Sequence, residues 1–175
     1  IVIGEDLGTV PEGLREELAT RGALGMRVLH FEKDGDAFIA PDAWPADALA
    51  TTTTHDLPSI RGWLAGRDID WLEKAGYRGP EESQGELAEG ATDDIEQLDA
   101  CIGFIGKTPA PLVLLPLEDA LGELEQPNLP GPGDIHPNWR RRFTTDAKNI
   151  LADTGVQHRL QRLSDARAKR ERESS

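Results

Sequence analysis

With 175 residues, 38% of them hydrophobic, the chain is long enough for one domain with a buried core. Residues 1–139 hold 27 acidic and only nine basic side chains, so this part of the chain should repel nucleic acids and anionic membranes. No stretch approaches the roughly 20 apolar residues of a membrane span, and Ile1 does not begin a secretory signal, so we expect a soluble, cytoplasmic protein.

The first 32 residues predict a strand, a helix and a second strand. The apolar run "IVIG" is followed by "TVPEGLREELATRG", in which Thr9 and Glu12 are spaced as a helix capping box and Gly22 marks a stop. Residues 26–32 then predict the second strand. This order is typical of a βαβ unit.

The middle of the chain continues the alternation. "DALATTTTHDLPS" predicts a third strand that runs into His55 and Asp56, and one or two helices are expected between residues 58 and 76. Residues 78–92 are polar and glycine-rich, which predicts an exposed insertion. A helix is predicted over residues 92–106, with the single cysteine, Cys101, on its apolar face as a core residue.

The last third predicts one more strand and a helical tail. "APLVLLPLEDALG" reads as a fourth strand followed by Glu118 and Asp119. Residues 144–175 predict a solvated helical segment with a fraying basic end, since residues 140–175 contain ten Lys and Arg but only five Asp and Glu.

Acidic side chains follow three of the four predicted strands. They are Glu5–Asp6, Asp56 and Glu118–Asp119. Strands that alternate with helices form parallel sheets, whose chemistry takes place at the carboxyl ends of the strands. One acid there commonly caps the next helix, but several at one rim fit glycosidic chemistry, which needs a proton donor and negative charge near the sugar ring. The acids lack calcium-loop spacing and no His pair has zinc spacing, so we expect neither metal nor cofactor.

Three longer segments carry a specific resemblance. "GEDLGTVPEG" (4–13), "TTTTHDLPSIRGW" (51–63) and "LPLEDALGELEQPNLPGPGDIHPNWRRR" (115–142) closely resemble the later half of the 4-α-glucanotransferases, the amylomaltases or disproportionating enzymes of glycoside hydrolase family 77. The resemblance implies a retaining (β/α)8 barrel transferase that moves a segment of an α-1,4-glucan donor, such as a maltodextrin, to the 4-hydroxyl of glucose or a maltooligosaccharide.

The resemblance also implies roles for individual residues. Glu5 matches the family's general acid/base, Asp56 its transition-state-stabilising aspartate, and His55 a histidine that binds sugar. Asn128, in "QPNLPG", is expected either to touch substrate or to form a turn, and Asp6 to brace its loop. Trp139 is expected to be structural, closing the last turn of the barrel.

The family's nucleophile has no match in this chain. It is an aspartate in an Arg-x-Asp-His motif on the preceding strand, and no such motif occurs in the 175 residues. The resemblance therefore predicts that residues 1–143 form the second half of the barrel, strands five to eight, and that the amino-terminal half is missing. The fragment should be inactive alone.

Two other functions are compatible with these motifs. The chain could be a non-catalytic glucan-binding or pseudoenzyme module, although retention of Glu5 and Asp56 argues against decay. It could also be a hydrolase of the α-amylase clan, which the "QPNLPG" and "HPNWRRR" segments disfavour.

Overall fold

The computed structural model describes residues 1–35, 37–76, 93–131 and 135–173. These residues form an α/β structure around a small parallel sheet. The predicted insertion at 78–92 lies outside the described residues. The strands are β1 (Gly25–Val28), β2 (Lys33–Asp34), β3 (Ala37–Phe38), β4 (Ala48–Thr51) and β5 (Leu112–Leu114). The α-helices are α1 (Leu14–Thr20), α2 (Ile60–Leu64), α3 (Arg67–Lys74), α4 (Asp94–Gly106), α5 (Leu117–Leu121) and α6 (Thr154–Glu173), with 3-10 turns at Leu29–Phe31, Pro41–Ala43 and Ala147–Ala152.

The sheet confirms the parallel pairing that the sequence predicts. Strand β4 lies between β1 and β5, with Leu49 opposite Met26 on one side and Leu112 on the other. The apolar run at the start of the chain adds only a single parallel bridge, between Ile3 and Leu24. Strands β2 and β3 form a separate antiparallel hairpin. The carboxyl ends of the run at Ile3, β1, β4 and β5 therefore share one edge.

The main core lies between the sheet and helix α4. All four residues of β4 are buried, and Ala50 packs in one apolar cluster with side chains of α4. Cys101 is buried in that cluster, as predicted, and the burial raises the pKa of its thiol to about 12. Other core members are Leu29, Trp44, Ile60, Leu98, Ile102 and Ile105. Apolar residues at both edges of the sheet are exposed: Ile1, Val2, Ile3 and Leu114.

The last helix is less solvated than the sequence predicts. Helix α6 packs along α4 and α5 and buries Val156, Arg159 and Ala166. The Arg159 guanidinium is the main tie, because its Nε donates to Asp99 Oδ1 and its Nη1 to the Ala120 carbonyl, each at 3.0 Å. One buried cation thus joins α6 to α4 and α5. Fraying of its basic end stays a prediction.

Three predicted element boundaries are wrong. The capping box does not form, because α1 begins at Leu14 after Gly13, which adopts a left-handed conformation with φ of 83°. The second strand ends at Val28, where the chain tightens into a 3-10 turn. Glu118 and Asp119 lie within helix α5 and not in a loop after the strand. Within the described parts of the chain, no helix is both long and apolar enough to cross a membrane.

Candidate active site

Two acids follow the first segment of the sheet, and they have different environments. Glu5 is exposed, whereas Asp6 is only 1% exposed. Asp6 Oδ1 accepts a hydrogen bond from the Met26 amide at 2.7 Å, and Oδ2 accepts from Arg15 Nε at 2.7 Å and Arg27 Nη1 at 3.0 Å. Burial alone would raise the pKa of Asp6, but these donors outweigh it and the pKa is lowered. Asp6 therefore braces the loop as an anion, and Glu5 is the acid that solvent or a ligand can reach.

The run of threonines after β4 closes the loop that carries His55 and Asp56. Thr51 Oγ1 donates to the Thr53 carbonyl at 3.0 Å, and Thr53 Oγ1 donates to the Pro58 carbonyl at 2.8 Å. Ser59 then caps α2, since its hydroxyl accepts from the Gly62 amide at 3.1 Å and donates to the Glu123 carbonyl at 2.8 Å. The hydroxyls thus satisfy backbone groups that a tight loop would otherwise leave unpaired.

The buried side chain of Asp119 accepts hydrogen bonds from residues at both ends of this loop. Its Oδ2 accepts from the hydroxyl of Thr52, before the loop, and its Oδ1 accepts from the Ile60 amide at 2.8 Å, after the loop. The side chain is 1% exposed, and this burial raises its pKa to about 6, although the bonds from Thr52 and Ile60 oppose the shift. The expectation that Glu118 and Asp119 form a third acidic position at the rim is therefore wrong for Asp119, because α5 turns this side chain into the interior as a support.

His55, Asp56 and Asn128 come together at the carboxyl edge. Asn128 Nδ2 donates to Asp56 Oδ1 at 2.6 Å, and His55 Nε2 lies 3.5 Å from the same oxygen. The side chains of His55 and Asp56 are about half exposed, at 53% and 46%. The Asp56 carboxylate is therefore oriented by an amide and accompanied by an imidazole. Its other oxygen, Oδ2, has no hydrogen-bond partner among the described residues.

Glu5 lies at the same edge but apart from this cluster. It follows the segment bridged at Ile3, and β1 separates that segment from β4. Neighbouring strands are about 4.8 Å apart, so Glu5 and Asp56 leave strands separated by two such spacings, about 10 Å. The structure thus brings three of the four predicted site residues into contact and places the fourth on the same rim.

A second loop presents Trp139 to this cluster. The centroid of the Trp139 indole lies 5.5 Å from the centroid of the His55 imidazole. Trp139 is 65% exposed. The expectation that Trp139 closes the last turn of the barrel stays a prediction, since the residue is not buried among the described residues. The contact with His55 places Trp139 beside the cluster of His55, Asp56 and Asn128, which the sequence pattern alone did not indicate.

The backbone at Trp139 is strained and firmly held. Trp139 has a φ of 60°, the left-handed region, which costs a side-chain-bearing residue about 1 to 2 kcal/mol. Its amide donates to the Pro127 carbonyl at 3.0 Å. The preceding Asn138 makes two further bonds to Leu129: its Oδ1 accepts from the amide at 2.8 Å and its Nδ2 donates to the carbonyl at 3.1 Å. Each bond contributes about 1 kcal/mol net, enough together to offset the strain.

Glu125 ties the same loop to helix α3. Its carboxylate accepts from Arg67 Nε and from Trp71 Nε1, both at 2.8 Å, and lies 3.2 Å from Arg141. Burial would raise its pKa, but these three donors lower it. A groove of about 490 Å³ opens beside Trp139, lined also by Glu118, Glu123, Glu125, Pro127, Arg141, Arg142 and Phe143.

The described residues contain no group of three or more His, Cys, Asp or Glu side chains arranged to hold a metal ion. The acids described above are committed to arginines, amides and hydroxyls or stand alone on the rim. The exposed carboxylates of Glu5 and Asp56, with the His55 imidazole and the Asn128 amide, can transfer protons, stabilise positive charge and bind hydroxyl groups.

Comparison with known proteins gives a consistent result. A sequence model of the family described as 4-alpha-glucanotransferase matches residues 1–148. The 4-alpha-glucanotransferase of Mycobacterium tuberculosis H37Rv is 35% identical, and the match covers 95% of this chain and 27% of that protein. The 4-alpha-glucanotransferase of Haemophilus influenzae is 24% identical and is matched over 89% of this chain and 26% of its own length. The chain thus spans about a quarter of the length of these curated relatives.

Two solved structures of amylomaltases resemble this chain as well. The amylomaltase of Corynebacterium glutamicum superposes with a TM-score of 0.77 at 25% identity, covering 95% of this chain and 28% of that one. An amylomaltase of Streptococcus agalactiae, solved in complex with acarbose, superposes with a TM-score of 0.63 at 18% identity. The superposition covers 94% of this chain and 31% of that one, and at this identity it shows a shared fold only.

Proposed function

The chain belongs to the 4-alpha-glucanotransferase family, and from this we propose that it supplies the acid/base and the charge-stabilising half of a glucanotransferase active site. The reaction is the transfer of an α-1,4-glucan segment from a maltodextrin donor to the 4-hydroxyl of glucose or a maltooligosaccharide. The observation that carries the proposal is the contact of His55 and Asn128 with Asp56 on the rim that also bears Glu5.

In this proposal Glu5 moves the proton. As an exposed acid on the rim, it donates a proton to the glycosidic oxygen that leaves and later takes one from the incoming hydroxyl. Asp6 cannot share this role, because its carboxylate is occupied by Met26 and two arginines. The adjacent pair of acids therefore divides into a reacting residue and a supporting residue.

Asp56 supplies negative charge opposite the sugar. The bond to Asn128 fixes the carboxylate, so that its charge is already in place when positive charge develops on the sugar ring in the transition state. His55 and Asn128 have further hydrogen-bonding capacity for sugar hydroxyls. The threonine loop and Asp119 fix the position of the loop that carries His55 and Asp56.

The remaining catalytic group comes from outside these 175 residues. A retaining transfer needs a carboxylate nucleophile, and the Arg-x-Asp-His motif that resembles the family's nucleophile is absent from the sequence. We propose that the sheet corresponds to strands five to eight of a (β/α)8 barrel, with residues 1–143 carrying the rim and 144–175 forming helical support. The exposed apolar residues at both sheet edges support a further set of strands as partner. A cytoplasmic location stays a prediction.

The test is release of glucose from maltotriose. The purified chain alone should release none, and activity should appear when it is co-expressed with the amino-terminal part of a related 4-alpha-glucanotransferase. In that complemented enzyme Glu5→Gln should lower turnover by about 10²- to 10⁴-fold and leave maltotriose binding intact, since the amide keeps the shape but cannot donate the proton. Glu16→Gln, an exposed acid of α1, is the matched control and should retain activity.

Two results would overturn the proposal. Turnover by the isolated chain that Glu5→Gln abolishes would show that the nucleophile lies within these residues. Near-normal transfer by complemented Glu5→Gln enzyme would show that Glu5 does not move the proton.

A further inference from the structure

Trp139 offers an exposed aromatic side chain beside the acidic cluster. Its ring lies 5.5 Å from the His55 ring, with the planes inclined at 41°, and His55 lies 3.5 Å from the Asp56 carboxylate. Trp139 remains 65% exposed despite this contact, so a large part of the residue is open to a ligand. The open part of Trp139 is thus one ring away from the charge-bearing residue.

The loop holds this side chain in place at a cost in backbone strain. Trp139 is the non-glycine residue with positive φ among the described parts of the chain, and three hydrogen bonds, from its own amide and from Asn138, fix it there. Exposure means that the indole gains little from burial, so packing does not account for a strained tryptophan at this position. Strain of this kind is maintained where a side chain must point in a set direction for function.

We propose that Trp139 is a sugar-stacking platform, on which one glucose unit of the bound α-glucan lies next to the unit at Asp56. One face of a glucose ring consists of C–H bonds with partial positive charge, which complements the electron-rich face of an indole. The groove beside Trp139 is also lined by Glu118, Glu123 and Arg142, whose charged groups suit the hydroxyls at the ring's margin. The inference rests on the proposed function, because it takes the ligand to be an α-1,4-glucan.

The experiment measures binding of maltoheptaose to the 175-residue chain by isothermal titration calorimetry. Trp139→Ala should raise the Kd at least tenfold, whereas Trp139→Phe, which keeps an aromatic face, should stay within about threefold of the unsubstituted chain. Leu151→Ala is the matched control, since Leu151 is 70% exposed and lies outside the site, and its Kd should not change.

Two further readouts separate stacking from a structural role. Saturating maltoheptaose should shift the tryptophan emission of the unsubstituted chain to shorter wavelength as the exposed indole is covered, and Trp139→Phe should bind without this shift. Trp139→Gly should raise Tm, because glycine adopts a φ of 60° without strain, while it weakens maltoheptaose binding as Trp139→Ala does.

The outcomes are distinct. An unchanged Kd in Trp139→Ala or Trp139→Gly, or no binding of maltoheptaose by the unsubstituted chain, would overturn the platform. None of these results bears on the catalytic roles, which glucose release by the Glu5→Gln enzyme tests separately.

Discussion

Replacement of Asp119 by Asn should change how the stability of the chain depends on pH. In the folded chain burial raises the pKa of Asp119 to about 6, whereas an unfolded aspartate titrates near 3.8. Between these two pH values the folded state holds a proton that the unfolded state has lost, so the folded state binds more protons. The contribution of Asp119 to the free energy of unfolding must therefore fall as the pH rises from about 4 to above 6.

The size of the effect follows from the shift. About two pH units at 1.36 kcal/mol each give up to about 3 kcal/mol. In Asp119→Asn, the amide oxygen can still accept from the Ile60 amide and the amide nitrogen can donate to the Thr52 hydroxyl oxygen, so the contacts persist without a titrating charge. We expect the variant to match the unsubstituted chain near pH 4 and to be more stable by up to about 3 kcal/mol at pH 7.5.

The assay is urea unfolding of both proteins at pH 4, 5, 6 and 7.5, followed by circular dichroism. Because the two proteins share all their other titratable groups, the difference between their free energies of unfolding reports on Asp119 and on the neighbours that its charge influences, Glu118 and Cys101. Asp34→Asn, at an exposed position, should show a difference that does not vary with pH. A constant difference between Asp119→Asn and the unsubstituted chain across this range would refute the reasoning.

Two other expectations concern packing and metal. Gly62→Ala in α2 should lower the free energy of unfolding by about 1 to 3 kcal/mol, because the new Cβ would overlap the Leu124 carbonyl oxygen. Gly103→Ala in α4 is the control and should cost less, because the nearest group there is the movable Arg162 guanidinium. Equal urea midpoints for the two variants would contradict this. Glucose release by the complemented enzyme should be unchanged by EDTA, and a loss that added calcium restores would show that a metal takes part.

The parallel sheet and its acidic rim could be predicted because they depend on local pattern. Apolar runs ended by glycine or threonine, separated by helical spacing, indicate β1, β4 and β5 in the right order. The helix over residues 94–106 follows from its apolar period, with Asp93 as its N-cap. The same local reasoning separated Asp6 from Glu5, since two adjacent carboxylates cannot both occupy one proton-transfer geometry.

The remaining features depend on contacts between distant residues. Whether Asp119 faces solvent or the interior is decided by its bonds to Thr52 and Ile60, about 60 residues earlier in the chain. The exposure of Trp139 similarly depends on how Asn138 pairs with Leu129. A local sequence pattern does not encode hydrogen bonds between distant residues. The residue types and their spacing could therefore suggest roles for these side chains, but not whether each side chain is buried or exposed.

The hydrogen bonds that Arg159 makes to Asp99 and Ala120 have a consequence for biosynthesis. Arg159 supports α5 through the Ala120 carbonyl, directly beside Asp119, but it belongs to the last helix to leave the ribosome among the described residues. At about 5 to 20 residues per second, the ribosome needs roughly 3 to 11 s to proceed from Asp119 to the end of α6. During that interval the nascent chain already displays His55 and Asp56 but lacks the cation that secures the helix beneath them. Stalling or premature release in this window would yield polypeptides with a complete acidic rim and a loosely seated support.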